Sequence, residues 1–176
     1  MNKLNHVLVR PETAADAAIV SAVHKQAFAR PDEARLVEAL RSSSAYIPGL
    51  SLVAEVAGQV AGHILFTTIQ IVRPHALSVP SLALAPMAVL PGFQRQGVGS
   101  TLVESGLHEA RQLGYLSVIV LGHEHYYPRF GFQPAGQWQV RPPFEVPAKA
   151  FMALELVPGS LAGAQGVVQY PAAFGI

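Results

Sequence analysis

The stretch from Leu82 to Leu121 constrains the fold of this chain more than any other part of it. An apolar run, Leu82-Ala-Leu-Ala-Pro-Met-Ala-Val-Leu90, leads into Gln94-Arg-Gln-Gly-Val-Gly-Ser100, and a second apolar run occupies Tyr115 to Leu121. Between them Val98, Leu102, Leu107, Ala110 and Leu113 recur on one helical face, and Gly114 supplies a stop. Strands joined by a crossover helix pair in parallel, an arrangement no hairpin can produce. The junction at Gln94–Ser100 also has the character of an anion site. Gly97, Gly99 and Ser100 permit close approach to the backbone. The first N–H groups of a helix lack intrahelical acceptors and carry the positive end of its dipole. Ligands of open α/β sheets sit at the carboxyl ends of such strands.

At 176 residues the chain suits one domain with a substantial core. Hydrophobic residues at 51% and charged residues at 13% point to a compact globule rather than disorder. A net charge of +1 provides no dense basic surface, so nucleic acid is not an expected partner. The absence of cysteine excludes disulfides, zinc–thiolate sites and a thiol nucleophile, and favours a cytoplasmic location. Met1 to Arg10 lacks an apolar stretch followed by a small-residue cleavage site, so the N-terminus is expected to belong to the fold. Residues 74–94 carry no charge, but Pro74, Pro80, Pro86 and Pro91 would break a spanning helix, so no membrane association is expected.

The remaining elements follow from periodicity. His6 to Arg10 alternates as a short strand, and Thr13 with Asp16 forms a variant capping box ahead of a helix facing the core with Ile19, Val20, Val23 and Ala27. A second helix starts at Asp32 and carries Leu36, Val37 and Leu40, followed by a loop over 42–49. Two β-branched runs, 52–57 and 60–72, read as a hairpin turning at Gly58-Gln59. Beyond Leu121, a short helix is expected over 124–130, a strand over 132–140 and a last strand over 151–157. The tail 158–176 shows no periodicity and is expected to pack on the same domain as an extension.

Spacing tests what the glycine turn can hold. A dinucleotide fingerprint needs glycine or alanine three positions after Gly99, where Leu102 stands, and no acidic ribose partner follows at the required distance. A phosphate loop needs Gly-Lys-Ser/Thr, which does not occur. His123-Glu-His125 does not reproduce a helical His-Glu-x-x-His pair, so no metal site is expected. No Gly-x-Ser-x-Gly elbow is present for a serine nucleophile.

Gln94-x-x-Gly97-x-Gly99 resembles the coenzyme A pyrophosphate loop of the GCN5-related N-acetyltransferase (GNAT) superfamily. Ala85-Pro-Met-Ala-Val-Leu-Pro91 before it and Tyr126-Tyr-Pro-Arg-Phe-Gly-Phe132 after the next strand extend the resemblance over roughly residues 6–157, and the YhbS-like bacterial branch in particular is similar. The resemblance implies a mixed α/β sheet, mostly antiparallel with a splayed parallel strand pair and flanking helices. It implies acetyl-CoA as cofactor, with a pantetheine arm hydrogen-bonded to the main chain at Met87, Ala88 and Val89. The pyrophosphate would lie in the loop of Gln94, Arg95, Gln96, Gly97, Val98, Gly99 and Ser100. Pro86 has no N–H, which independently favours an interruption and a cleft in strand 82–90.

Tyr127 matches the tyrosine of the family's Tyr-x-x-x-Gly-Phe motif, which implies a proton donor to the departing thiolate, a role compatible with a phenol near pKa 10. Tyr126 is expected to be structural or substrate-facing. The attacking amine must be neutral, and Glu55, His63, His123, Glu124 and His125 are the candidates for its base. His123, just past the strand 115–121, is the preferred one. Gly122-His123 stands where relatives often place an asparagine, a departure from the family pattern. The implied reaction is direct acetyl transfer to a primary amine of a small molecule or peptide, in a chain compatible with a homodimer. The alternative is a non-catalytic acyl-CoA sensor on the same fold.

Overall fold

The computed structural model describes residues 6–176; residues 1–5, assigned to the fold by the sequence reading, lie outside the described part. In chain order the elements are β1 (Val7–Pro11), α1 (Ala17–Phe28), α2 (Asp32–Arg41), β2 (Tyr46–Val56), β3 (Gln59–Val72) and β4 (Val79–Val89). There follow α3 (Val98–Gln112), β5 (Ser117–Leu121), β6 (Gln133–Pro134), β7 (Val140–Arg141), β8 (Phe151–Glu155) and β9 (Gly166–Gln169). All 9 strands share one sheet with the main order β1-β2-β3-β4-β5-β8-β6. Pairing is antiparallel except between β4 and β5 and between β7 and β9. This is the mixed, mostly antiparallel sheet expected, with the parallel pair on the two strands flanking α3.

Period-two alternation sorts the side chains onto two faces. Leu52, Ala54, Ile64, Phe66, Leu82, Leu84, Val118 and Val120 turn toward Val98, Leu102, Val103, Leu107 and Ala110 of α3. Their neighbours Val53 and Leu65 turn the other way, against Val20 of α1 and Val37 and Leu40 of α2. Farther along that second face, Ile69, Ala83, Ile119 and Ala153 meet Leu161, Ala164 and Val168 from the tail.

Several local expectations change. The hairpin turns at Ala57-Gly58, one residue earlier, with both residues at positive φ (51° and 80°) as a type I′ turn demands. β2 begins at Tyr46, inside the stretch read as loop; a register shift between Tyr46 and Ser51 hides its alternation. The strand expected over 132–140 is two short strands around a 3₁₀ turn at Ala135–Trp138. The aperiodic tail supplies β9, whose register places Gln70 opposite Gln169. Ile19 (39% exposed) and Leu113 (52%) lie outside the core, because the helices present narrower faces than periodicity implied.

A buried polar chain ties the α1/α2 face together. Arg41 and the Ser51 hydroxyl both donate to the Glu12 carboxylate. Ser51 Oγ lies 2.9 Å from His63 Nε2, and His63 Nδ1 lies 2.9 Å from His24 Nε2. Burial drives both imidazoles toward the neutral form, His24 down to about 3. Neutral rings give the chain one direction: His24 Nε2–H donates to His63, His63 Nε2–H to Ser51, and Ser51 to Glu12. His24 Nδ1 remains a buried acceptor without a partner among the described residues. Burial alone would raise Glu12, but the His63 ring N–H 3.4 Å away, the Ser51 hydrogen bond and the charge of Arg41 bring it down to about 2.

The sign of the pH dependence follows from these shifts. The unfolded chain protonates its imidazoles near 6.5 while folded His24 holds out to about 3, so stability is present above 6.5 and lost as pH falls below it. One such histidine removes about 2 kcal/mol by pH 5, or about 4–8 °C in thermal midpoint for a chain of this size. His24→Gln, which keeps an N–H donor, is expected to show a clearly smaller drop between pH 7 and pH 5 in thermal melts; an unchanged drop would remove His24 from the account.

Candidate functional site

β4 and β5 pair only at Leu82↔Val118 and Ala83↔Ile119. Beyond Ala83, β4 continues to Val89 beside β3, while β5 ends at Leu121 beside β8. The β4 edge from Leu84 to Val89 therefore has no strand neighbour on its β5 side. Pro86 sits in this segment without a donor, opposite the register shift between Ile64 and Phe66. The two strands part here, at the carboxyl end of both, and the gap between them is the candidate cleft.

The floor of the cleft is the turn into α3. Arg95 (φ 58°) and Gly97 (φ 88°) both take left-handed conformations and bring the chain round to the helix. Gln94 Nε2 donates to Val89 O at 3.0 Å and Gln96 Nε2 to Gly92 O at 2.8 Å, so the side chains flanking Arg95 pin the turn. Gly97 caps α3, with Thr101 N–H and Oγ1 both donating to its carbonyl. The N–H groups of Val98, Gly99 and Ser100 precede the first intrahelical bond and are free for an anion. Met87 and Val89 are half-buried beside this turn, whereas Ala88 packs on the opposite face with Val23 and Leu90. Met87, Val89 and the turn thus come together; Ala88 can contribute to the cleft only through its main chain.

Across the gap stands the tyrosine-bearing segment. The helix expected over 124–130 is one 3₁₀ turn, Tyr127–Phe130, entered through hydrogen bonds from the N–H groups of Tyr126 and Tyr127 to His123 O. Tyr127 packs edge-on against Phe132 (5.6 Å) and Tyr126 (5.1 Å), and its ring lies on Gly122. A Cβ at Gly122 would stand 2.3 Å from Tyr127 Cε2, which accounts for glycine at this position. Burial pushes the Tyr127 phenol far above its ordinary value. Its hydroxyl has no hydrogen-bond partner among the described residues, yet is not among the polar atoms sealed off from water without one.

The candidate bases separate. His123 is exposed and follows Gly122 directly at the end of β5. Glu124 and His125 pair with each other at 3.2 Å on the surface. Glu55 accepts from Arg10 at 2.8 Å beside β1, remote from the cleft in the sheet order. His63 is fully buried within the polar chain. Among the described residues no three His, Asp or Glu side chains assemble as a metal set, and no helix is long and apolar enough to cross a membrane.

Tyr126, read from the sequence as structural or substrate-facing, stands at the entrance to α3. Its hydroxyl reaches the first turn of α3, 2.9 Å from where a Cβ on Gly99 would stand, although 27 positions separate the two residues in the chain. The doubled tyrosine was the available signal.

A family model described as the acetyltransferase (GNAT) family matches residues 19–132. The chain is 40% identical over 134 residues to the uncharacterized N-acetyltransferase YjhQ of Escherichia coli K12, covering 75% of this chain and 73% of that protein. The crystal structure of the GNAT family N-acetyltransferase YhbS from Escherichia coli in complex with CoA superposes with a TM-score of 0.90 at 29% identity, covering 100% of this chain and 96% of that one. A GNAT family acetyltransferase from Brucella melitensis in complex with acetyl-CoA gives a TM-score of 0.76 at 33% identity, over 97% and 99% of the two chains. Sequence and fold agree, and the chain belongs to the GNAT family of acetyltransferases.

Proposed function

We propose that the protein transfers the acetyl group of acetyl-CoA directly to a primary amine of a small molecule or peptide, with both substrates bound together. The observation that carries this reading is the unpaired β4 edge, Leu84 to Val89, opening onto the free amides of α3 with Tyr127 across the gap. The donors fit the cofactor. An extended arm bearing amides can lie along β4 as an added strand, bonded to the main chain at Met87, Ala88 and Val89. The amides from Gln96 to Ser100 suit pyrophosphate oxygens, and exposed Arg95 adds positive charge beside them. The CoA and acetyl-CoA complexes of two relatives support the same assignment.

Acetyl-CoA supplies the acetyl group as an activated thioester. The chain has no cysteine to carry that group, which favours direct attack: a C–N bond forms at the acetyl carbon as the C–S bond breaks. Tyr127 donates its O–H hydrogen bond toward the departing sulfur. Because burial raises this phenol far above 10, complete proton transfer to a thiolate is uphill; Tyr127 stabilises developing charge instead of acting as the matched acid suggested by the residue type. His123 receives the amine proton and passes it to bulk water. It is the candidate base that is exposed, adjoins the cleft and lacks an ionic partner among the described residues.

Tyr127→Phe is expected to lower kcat about 10–100-fold on a reactive amine while changing acetyl-CoA affinity by less than about threefold. Free-thiol release and calorimetry read these separately, and a full-rate variant would remove Tyr127 from the chemistry. His123→Gln is expected to lower kcat/KM for the amine about 10–100-fold without weakening acetyl-CoA binding. A variant with the full rate assigns the base elsewhere.

A further inference from the structure

Three side chains from two elements approach Gly99, and one of them closely. Besides the Tyr126 hydroxyl at 2.9 Å, Val89 Cγ2 and Met87 Cε stand 3.7 and 3.8 Å from where its Cβ would be. Val89 and Met87 come from β4, and Tyr126 comes from the loop after β5, so the tyrosine reaches across the cleft to its opposite wall. Its ring is held on three sides, by Tyr127 at 5.1 Å, Phe130 at 5.4 Å and the Arg129 guanidinium at 4.4 Å. Arg129 Nε donates to Tyr126 O at 3.2 Å, which fixes the stacked cation. No protein group hydrogen-bonds to the Tyr126 hydroxyl among the described residues, in contrast to the side chains of Gln94, Gln96 and Thr101 in the turn into α3. The result is a rigidly oriented O–H donor without a partner, in contact with the helix turn that presents free amides.

We propose that the Tyr126 hydroxyl donates a hydrogen bond to the pyrophosphate of bound coenzyme A, closing the cradle from the side opposite β4. The two adjacent tyrosines then divide the work: Tyr126 holds phosphate, and Tyr127 serves the sulfur. Arg129 is a positioning residue that keeps the Tyr126 ring in place. Glycine at 99 leaves the hydroxyl its place, since a Cβ there would displace it. This inference rests on the cofactor reading above and adds a donor from outside the glycine turn. A phenol is uncharged and rigid, so it adds a directed bond to an oxyanion without the conformational entropy a surface lysine would lose.

The test is calorimetry on the intact protein with coenzyme A and with 3′-phosphoadenosine 5′-diphosphate, which keeps the pyrophosphate and lacks the pantetheine arm. Tyr126→Phe preserves the ring packing and removes the oxygen; its Kd is expected to rise about tenfold for both ligands, with the wild-type melting temperature retained. Gly99→Ala is expected to weaken both ligands as well, and to cost less in the Tyr126→Phe background, where the crowding oxygen is gone. Equal affinities of wild type and Tyr126→Phe would overturn the proposal. So would a loss confined to coenzyme A, which would place the hydroxyl on the arm. Failure of the wild-type protein to bind coenzyme A would instead overturn the cofactor reading itself.

Discussion

The parting of β4 from β5 after two residue pairs is the constraint from which the candidate site follows. Two parallel strands in register would satisfy one another's main chain and leave no room for a ligand. Here Pro86 supplies no donor, and the register shift against β3 displaces the strand beside it. The β4 edge remains open but is not left unsatisfied, since it faces the cleft and therefore solvent. α3 must begin where β4 ends, so its free amides open into the same gap. The Tyr126–Phe132 segment must follow β5, which places its tyrosines on the facing wall. Strand, helix turn and aromatic segment meet because the connections are short, and the sheet geometry leaves them one place to meet.

The two faces of the sheet serve different ends. Toward α3 the packing is almost entirely apolar, with Phe66, Leu102 and Phe132 fully buried, and it sets the height of the helix turn above β4. Toward α1 and α2, the Arg41–Glu12–Ser51–His63–His24 chain interrupts the apolar surface. A chain of this kind holds five separated segments in one arrangement, since displacing any member exposes a buried polar atom to an apolar setting. His63 belongs to that scaffold. Its place among the base candidates reflected the chemistry of imidazole, and burial withdraws it from solvent.

Much of the fold was legible because it is written in local periodicity. The helix following Gln94–Ser100, the parallel neighbours on either side of it and the antiparallel hairpin all appear where β-branched alternation and helical spacing are strong. Misreadings cluster where structure departs from ideal repeats. The register shift after Tyr46 breaks the alternation of β2, and β6 and β7 are too short to show any. β9 takes its identity from its partners β3 and β7 rather than from its own sequence.

The candidate site divides along the same line. The residues of Gln94–Ser100 by themselves determined a helix entrance suited to phosphate, since glycine at the turn and free first-turn amides are local properties. Leu102 and the missing Gly-Lys-Ser/Thr narrowed the guest without any three-dimensional information. Only the tertiary structure decided which side chains from elsewhere approach that entrance. Tyr126 meets Gly99 and Tyr127 rests on Gly122 because β5 returns the chain beside β4, and His63 leaves the site because α1 covers it. Spacing along a chain specifies direction and local shape; proximity between distant residues is set by packing, where small side chains allow close approach and large ones forbid it.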